Sequence, residues 1–401
     1  MDIIIHRGER QIGGNIIEIR SENTRILFDA GLDLKEENNI KLPKVDGLFD
    51  RKGFDAVFIS HTHMDHLGLV YNIHPEIPVY LGERGYGMIK ASDEYKRSKS
   101  FVPAGFLEHK KTIKISELSV TPYLCDHSTY DSYMLLVECK GERILYTGDF
   151  RGHGRKPFEW TLKELPKYVD VLICEGTTLS REKIDLQSEW DLERDAVNHF
   201  KSTEGPVFVL MSSMNIDRIV TMYRAAKRTG RDFLEDLYMA EITSSIDNSI
   251  PNPITFDDVK TFVTRMYPSD HQRRNLFLKY KNRIGVHSIK KLKFVMCVRT
   301  SMLKYLKGLN KHMRFEGGLL IYSFWSGYRK NPEMIEFLDE CSKMGLKVIT
   351  LHTSGHADEE TILRLIDTIK PKEVKIVHTE NYNWKHREKE ELYEAKEDYF
   401  K

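Results

Sequence analysis

A cluster of histidine and aspartate side chains follows an apolar run near residue 60. Within six positions the chain places His61, His63, Asp65 and His66, directly after the strand-like residues 56–59. Such side chains are costly to bury without partners, and imidazole and carboxylate groups suit Zn²⁺. The H-x-H-x-D-H spacing predicts a loop in which His61 and His63 face one metal ion while Asp65 and His66 face a second. A solvated polar loop is the alternative.

Three further candidate ligands follow strand-like runs downstream, namely His127, Asp149 and His378. A carboxylate has two oxygens, so Asp149 is the natural bridge between two ions. Two zinc ions per chain, with Mn²⁺ as the alternative, would hold a hydroxide at neutral pH and clamp an in-line displacement at phosphorus. Asp29, at the end of an early strand, is predicted to hold a ligand imidazole in one tautomer. Taken singly, each of these residues could also be an ordinary turn residue.

The composition sets the broad class of the protein. The chain has 401 residues, enough for two domains or for one domain with a large insert, and a formal net charge of +1. Any surface for nucleic acid must therefore be a local patch. The five cysteines form no C-x-x-C pair, and this favours reduced, buried thiols in a cytoplasmic protein. We expect neither a signal peptide nor a membrane span.

The pattern of apolar residues changes near residue 181. Before it the chain reads as short strands, antiparallel near the start, with a hairpin that turns at residues 140–141. After it, strands alternate with helices, as in a parallel α/β unit. Prolines mark an irregular stretch from residue 251 to 268, and residues 385–401 read as a charged helix. The predicted helices of this second part cover residues 192–201, 216–228, 332–344 and 358–369.

A basic stretch lies between residues 271 and 293. It carries eight Lys and Arg residues and no Asp or Glu, and Phe277 and Tyr280 are interleaved. Basic side chains can contact phosphates while aromatic rings stack on unpaired bases. A solvated helix face with a buried apolar stripe explains the same residues equally well. The segment SFWSGYRK, which contains Ser323 and Arg329, is a second candidate contact with phosphates or bases.

The ligand residues, in their order along the chain, resemble the metallo-β-lactamase superfamily. The matching marks are Asp29 in FDAG, the H-x-H-x-D-H motif, His127 and Asp149. The resemblance implies an α/β fold, the αββα sandwich, with metals at one edge of two packed sheets.

A second set of marks resembles the β-CASP nuclease branch, which includes the RNase J-like enzymes and the endonuclease of RNA 3′-end processing. Glu175, His356 and His378 match its motifs A, B and C. The resemblance implies a metallo-β-lactamase domain over residues 1–185, an α/β β-CASP insert over 186–345, and a closing part with a C-terminal helix over 346–401. Substrate-binding residues implied in the insert are Ser213, Asn215, Arg218, Ser323 and Arg329.

Together these observations predict a metal-dependent phosphodiesterase that hydrolyses nucleic acid, most readily single-stranded RNA, by attack of a dizinc-bound hydroxide. Asp65 would orient the attacking group, and His356, steadied by Glu175, would hold the scissile phosphate. A DNA nuclease of repair or defence, a small-molecule zinc hydrolase and a non-catalytic nucleic-acid-binding subunit remain alternatives. We expect nucleic acid as the partner, no membrane contact, and leave a homo-oligomer open.

Overall fold

The computed structural model describes residues 1–36, 40–181, 186–264 and 269–384, so the predicted helix over 385–401 lies outside the described residues. The strands, in chain order, are β1 (Asp2–Arg7), β2 (Ile16–Arg20), β3 (Arg25–Phe28), β4 (Ala56–Phe58), β5 (Val79–Gly82), β6 (Gly105–Leu107), β7 (Ile113–Ile115), β8 (Leu118–Cys125), β9 (Ser132–Cys139), β10 (Glu142–Tyr146), β11 (Val171–Glu175), β12 (Val207–Leu210), β13 (Asp232–Asp236), β14 (Val259–Phe262), β15 (Phe294–Val298), β16 (Leu319–Tyr322), β17 (Lys347–Thr350) and β18 (Glu373–Val377). The α-helices are α1 (Met64–Leu67), α2 (Glu83–Lys96), α3 (Phe158–Glu164), α4 (Glu189–Lys201), α5 (Ile216–Arg228), α6 (Leu237–Ser244), α7 (His271–Leu278), α8 (Val286–Ile289), α9 (Leu303–Asn310), α10 (Pro332–Lys343) and α11 (Glu359–Ile369).

Two six-stranded sheets form the first domain. Their strand orders are β1-β2-β3-β4-β5-β6 and β18-β11-β10-β9-β8-β7. Pairing is antiparallel from β1 to β3 and parallel from β3 to β6, so the antiparallel start predicted from the sequence is confirmed. The predicted hairpin joins β9 to β10, and both of its turn residues, Lys140 and Gly141, have positive φ.

The alternation of side chains along the strands packs the two sheets face to face. Ile26 and Phe28 of β3 share a core with Leu135 and Val137 of β9, because successive strand residues point to opposite faces. The intervening Leu27 packs instead in an outer core that includes Leu67 of α1 and Ile89 of α2. A second outer core joins the other sheet to α3 and α11. These layers confirm the predicted αββα sandwich.

The third sheet is entirely parallel, with the strand order β14-β13-β15-β12-β16-β17. One face packs against α4, α5 and α6, and the other packs against α9 and α10. Helices on both faces bury the central strands β12 and β15, which are apolar throughout. This architecture is the α/β insert that the sequence predicted.

Two predictions about the insert need correction. The predicted boundary at residue 345 leaves β17 in the closing part, but β17 pairs with β16 inside the third sheet. The region around residues 251–268 is not merely irregular, since β14 lies within it and β13 and β15 flank it. These short strands were not predicted, because polar residues interrupt or border their brief apolar runs. The strongly amphipathic α5, in contrast, is found at the predicted residues.

The described part of the chain contains no helix that is both long and apolar enough to cross a membrane. All five cysteines are buried and free of disulfide bonds, as predicted.

Candidate metal centre

The predicted ligands meet at one edge of the sandwich because the strands that carry them all end there. His61 to His66 follow β4, and the short helix α1 carries Asp65 and His66. His127 follows β8, Asp149 follows β10, and His378 follows β18. Strands β8, β10 and β18 run in the same direction within their sheet, so their carboxyl ends reach the same edge.

Three imidazoles form the first half of the cluster. The Nε2 atom of His61 lies 3.2 Å from Nδ1 of His63, and Nε2 of His127 lies 3.0 Å from the same Nδ1. Burial lowers the pKa of His63 to about 4 and holds the pKa values of His61 and His127 well below their usual range. These imidazoles are therefore neutral at pH 7, and the neutral form is the one that coordinates metals.

Four side chains form the second half, and Asp149 lies between the two halves. Its Oδ2 atom is 3.2 Å from Nε2 of His66 and 3.9 Å from Nε2 of His378, and it is 3.8 Å from Nε2 of His61. Nε2 of His378 also lies 3.1 Å from Oδ2 of Asp65. The ligand atoms of Asp65, His66, Asp149 and His378 all lie within 4.8 Å of one another.

The unsatisfied polar atoms at the centre indicate that a cation belongs there. Both carboxylate oxygens of Asp149 and Nε2 of His66 are buried without a hydrogen-bond partner in the structure, because the 3.2 Å approach of Oδ2 to Nε2 lacks hydrogen-bond geometry. A buried group in this state costs roughly 1–3 kcal/mol, and a charged one costs more. Divalent metal ions remove this cost by direct coordination, so the residues present fit a metal site.

The charges of the second half lead to the same conclusion. Burial raises the pKa of Asp149, but its electrostatic interactions with His378 and His66 outweigh burial and hold that pKa well below its usual range. Burial likewise opposes ionisation of Asp65, yet its hydrogen bond with His378 holds its pKa low. The site therefore keeps both carboxylates ionised at neutral pH, the form in which they can coordinate a divalent cation.

A ring of hydrogen bonds fixes the ligand imidazoles. Asp29, at positive φ, accepts from Nδ1 of His66 at 2.7 Å and from the Tyr146 hydroxyl at 2.6 Å. The hydroxyl of Thr177 lies 2.7 Å from Nδ1 of His378, and Nδ1 of His127 donates to the Gly355 carbonyl at 2.6 Å. The structure thus puts Asp29 where the sequence predicted it. The roles of Tyr146 and Thr177 were missed, although both lie at strand ends beside predicted ligands.

Glu175 and His356 form a pair next to the cluster. Oε2 of Glu175 lies 3.0 Å from Nδ1 of His356, and Oε1 accepts from the backbone N–H of Phe150 at 2.9 Å. The same His356 atom is 3.4 Å from Oδ2 of Asp149. Burial lowers the pKa of His356, but Glu175 and Asp149 outweigh it and raise that pKa above its usual value. A protonated His356 beside the cluster is suited to hold an anion.

The structure does not bring the predicted substrate-binding residues together at an open surface. Arg218 is fully buried, and its guanidinium is held by Glu189 at 3.0 Å and by the Ser323 hydroxyl. Ser213 is buried and accepts from Arg299 at 2.9 Å. For these buried residues the prediction needs correction, because a motif does not reveal which polar side chains the fold pairs internally.

The remaining two predicted contacts also have structural partners. The Asn215 side chain caps α5 by accepting from the backbone N–H of Arg218 at 3.0 Å. Arg329 donates to the Thr350 hydroxyl at 2.7 Å and lies over the Tyr322 ring.

The basic stretch is divided between α7 and the segment that precedes β15. On α7 the Arg273 guanidinium lies over the Tyr95 ring, and Lys279, directly after α7, pairs with Glu241 at 2.6 Å. Tyr280 is fully buried. The exposed lysines at 290, 291 and 293 precede β15. They lie at the amino end of the parallel sheet, opposite the edge from which the chain leads to His356.

A buried arginine ties the metal loops to the insert and was not found from the sequence. Arg151, two residues after Asp149, is fully buried and donates to Asp126 at 2.8 Å. It also pairs with Glu189 at 3.3 Å and with Asp217, which lie on α4 and α5. The sequence hints at Arg151 only through its position two residues after the predicted metal ligand Asp149.

Comparisons with known proteins relate both the sequence and the fold of this chain to described families. A family profile described as "Beta-lactamase superfamily domain" matches residues 24–229, just over half of the chain. A second profile, described as "Zn-dependent metallo-hydrolase RNA specificity domain", matches residues 343–387. A crystal structure of a protein of unknown function from Enterococcus faecalis has the same fold, with a TM-score of 0.77 at 22% identity over 95% of this chain and 94% of that one.

Curated relatives include an RNase J-like protein of Methanocaldococcus jannaschii, 26% identical over 94% of this chain and 92% of that protein. Ribonuclease J 1 of Streptococcus pyogenes is 20% identical over 93% of this chain and 67% of that protein. The match to ribonuclease J of Sinorhizobium meliloti, 25% identical, spans 49% of this chain and only 36% of that protein. On its sequence, its layers and its ligand cluster, the chain belongs to the metallo-β-lactamase superfamily, in the RNase J-like β-CASP branch.

Proposed function

We propose that this protein is a metal-dependent ribonuclease that holds two zinc ions and hydrolyses single-stranded RNA. The observation that carries the proposal is the cluster of five histidines and two aspartates around the unsatisfied carboxylate of Asp149, with the Glu175–His356 pair beside it. His61, His63 and His127 would hold one ion. Asp65, His66 and His378 would hold the other, and Asp149 would bridge the two.

Zinc suits this donor set because nitrogen and carboxylate oxygen are its usual ligands in proteins. Two divalent ions at this edge would supply Lewis-acid activation of water and charge neutralisation for an attack at phosphorus. The protein's own residues would do the positioning. Asp65, held as a carboxylate by His378, can accept a hydrogen bond from the attacking water and orient it.

His356 would bind the scissile phosphate. Because Glu175 engages its Nδ1 atom, the Nε2–H of the imidazolium remains available to a nonbridging phosphate oxygen. That oxygen gains negative charge in the transition state, so a fixed donor there accelerates the reaction. A small-molecule hydrolase has no evident use for this pair.

The choice of RNA rests on the relatives. The second matching family is described as an RNA specificity domain, and the relatives named above are ribonuclease J or RNase J-like proteins. The five free, buried thiols support a reducing compartment such as the cytoplasm within the same proposal.

The test is cleavage of end-labelled single-stranded RNA and of DNA of the same sequence by the metal-loaded protein. Wild type, Asp149→Asn and His356→Ala are compared, and bound metal is measured for each. We expect RNA cleavage by wild type with about two zinc ions per chain. Asp149→Asn should lose metal and activity, whereas His356→Ala should keep its metal and lose activity.

The matched control is His287→Ala, which removes an exposed histidine of the insert and should change neither metal content nor cleavage. Cleavage of DNA alone would redirect the proposal to a DNA nuclease. A fully metallated wild type that cleaves neither polymer would refute the nuclease function.

A further inference from the structure

Two large aromatic side chains lie exposed on the loop that follows β16. Trp325 and Tyr328 are 44% and 42% exposed, and their rings meet edge to face with centroids 5.6 Å apart. Burial of an aromatic side chain of this size stabilises a protein by a few kcal/mol. This fold leaves both side chains partly in solvent and so lacks part of that stabilisation. The two rings are therefore candidates for contact with a ligand.

The loop holds these rings in place. A Cβ atom at Gly327 would lie 2.2 Å from the nearest atom of the Trp325 ring, so only glycine lets the indole lie against the backbone. The Tyr322 hydroxyl donates to the Trp325 carbonyl at 2.8 Å. The guanidinium of Arg181 lies 5.1 Å from the centroid of the Trp325 ring, in a cation–π contact. We refer to Arg181, Trp325 and Tyr328 as the aromatic platform.

The platform lies beside the residues proposed to hold the scissile phosphate. Arg181 follows Glu175 by six residues, in a turn closed by its backbone N–H to the Thr178 carbonyl at 3.0 Å. The hydroxyl of Thr178 donates to the carbonyl of Ala357, next to His356. The positive charge of Arg181 interacts with both Glu175 and His356.

The platform also joins the two domains. Arg181 comes from the sandwich, whereas Trp325 and Tyr328 come from the carboxyl edge of the insert sheet. Neighbouring β17 leads from that same edge toward His356. A strand whose phosphate sits at His356 would therefore run along the boundary between the two domains, where the platform lies.

We propose that the aromatic platform stacks an unpaired base of the substrate strand close to the scissile phosphate. The inference rests on the proposed ribonuclease function and deepens it by naming the residues that select single strands. Every base has a face that can stack on an indole or a guanidinium, whereas bases inside a duplex are already stacked and paired. The contact is therefore expected to tolerate any sequence while excluding double-stranded RNA.

The test compares wild type, Trp325→Ala and Trp325→Phe on a ten-nucleotide single-stranded RNA and on copies with one abasic site at each position in turn. Wild type should lose about 10-fold in kcat/KM when the stacked base is missing. Trp325→Ala should lose about the same factor on intact RNA and show no further loss at that position. Trp325→Phe, which keeps an aromatic face, should retain most of the activity.

The control is Trp160→Ala, which removes a tryptophan of similar exposure, 37%, on the outer helix α3. It should leave both kcat/KM and the abasic profile unchanged. Thermal unfolding of each variant checks that the fold is intact. If kcat/KM depends on the position of the missing base in the same way for Trp325→Ala as for wild type, the proposed stacking on the platform is refuted.

A binding measurement separates this inference from the proposed function. The anisotropy of a labelled RNA with cleavage-resistant phosphorothioate linkages gives Kd for the metal-loaded wild type and for Trp325→Ala. If wild type cleaves no RNA, the ribonuclease function fails, but a Kd about 10-fold weaker in the variant still establishes a strand-binding platform. Equal Kd values would overturn the platform whether or not RNA is cleaved.

Discussion

Glu235 lies on β13 in the centre of the insert and is fully buried. The Thr243 hydroxyl donates to its Oε2 atom at 2.8 Å, and Oε1 has no hydrogen-bond partner in the structure. Burial raises the pKa of Glu235 from 4.5 to about 8; the hydrogen bond from Thr243 opposes this rise and the nearby charge of Asp236 adds to it. The folded protein therefore keeps a proton here that the unfolded chain releases.

This difference makes the free energy of unfolding depend on pH. Between pH 4.5 and 8 the folded state binds the extra proton, so stability falls as the pH rises through that window. At about 1.4 kcal/mol per pKa unit, the penalty is about 2 kcal/mol at pH 6 and approaches about 4.7 kcal/mol at pH 9. Glu235→Gln keeps the size and the acceptor for Thr243 but carries no charge. Wild type should lose about 2.7 kcal/mol relative to this variant from pH 6 to pH 9.

The assay is urea unfolding of wild type and Glu235→Gln at several pH values, monitored by circular dichroism at constant ionic strength. Subtracting the two stabilities cancels the groups that titrate alike in both proteins. Glu204→Gln is the matched control, because its side chain is 91% exposed and should give a difference that does not vary with pH. A flat difference for Glu235→Gln, or one that shrinks as the pH rises, would refute the reasoning.

Three further outcomes are expected. Asp29→Asn weakens the hydrogen bonds that hold the His66 imidazole, so zinc affinity, measured by competition with a chromophoric chelator, should fall about 10- to 100-fold; an unchanged affinity would count against Asp29 as a positioning residue. Arg151→Met removes the cation that Asp126, Glu189 and Asp217 share, although Glu189 keeps its pair with Arg218, and we expect a loss of about 3–5 kcal/mol in urea unfolding; a loss below about 1 kcal/mol would contradict that account. Chelation should lower the midpoint temperature of thermal unfolding and added Zn²⁺ should restore it, because the ions bind the folded state alone. A midpoint temperature that changes with neither treatment would argue against a metal at Asp149.

Local patterns predicted the elements that carry the chemistry. The helix at Ile216–Arg228 is found at the predicted residues because its apolar positions repeat with the helical period. The end of α10 was expected near Gly345, and that residue indeed has positive φ just after the helix. The short strands β13 to β15 and the helix α2 were missed. Their apolar runs are brief or mixed with polar residues, so long-range pairing decides their structure.

The sequence by itself determined which residues could bind metal and at which strand ends they lie, because ligand chemistry and short spacings are local properties. The tertiary structure alone brought His61 next to His127 and His378 next to Asp65, residues that are up to 313 positions apart. The tertiary structure also decided which charged groups pair with one another inside the protein. Arg218 matched a substrate-binding pattern yet lies buried against Glu189, whereas Trp325 remains exposed on the loop that follows β16. Burial and charge compensation depend on packing between distant segments, and no local pattern reports that packing.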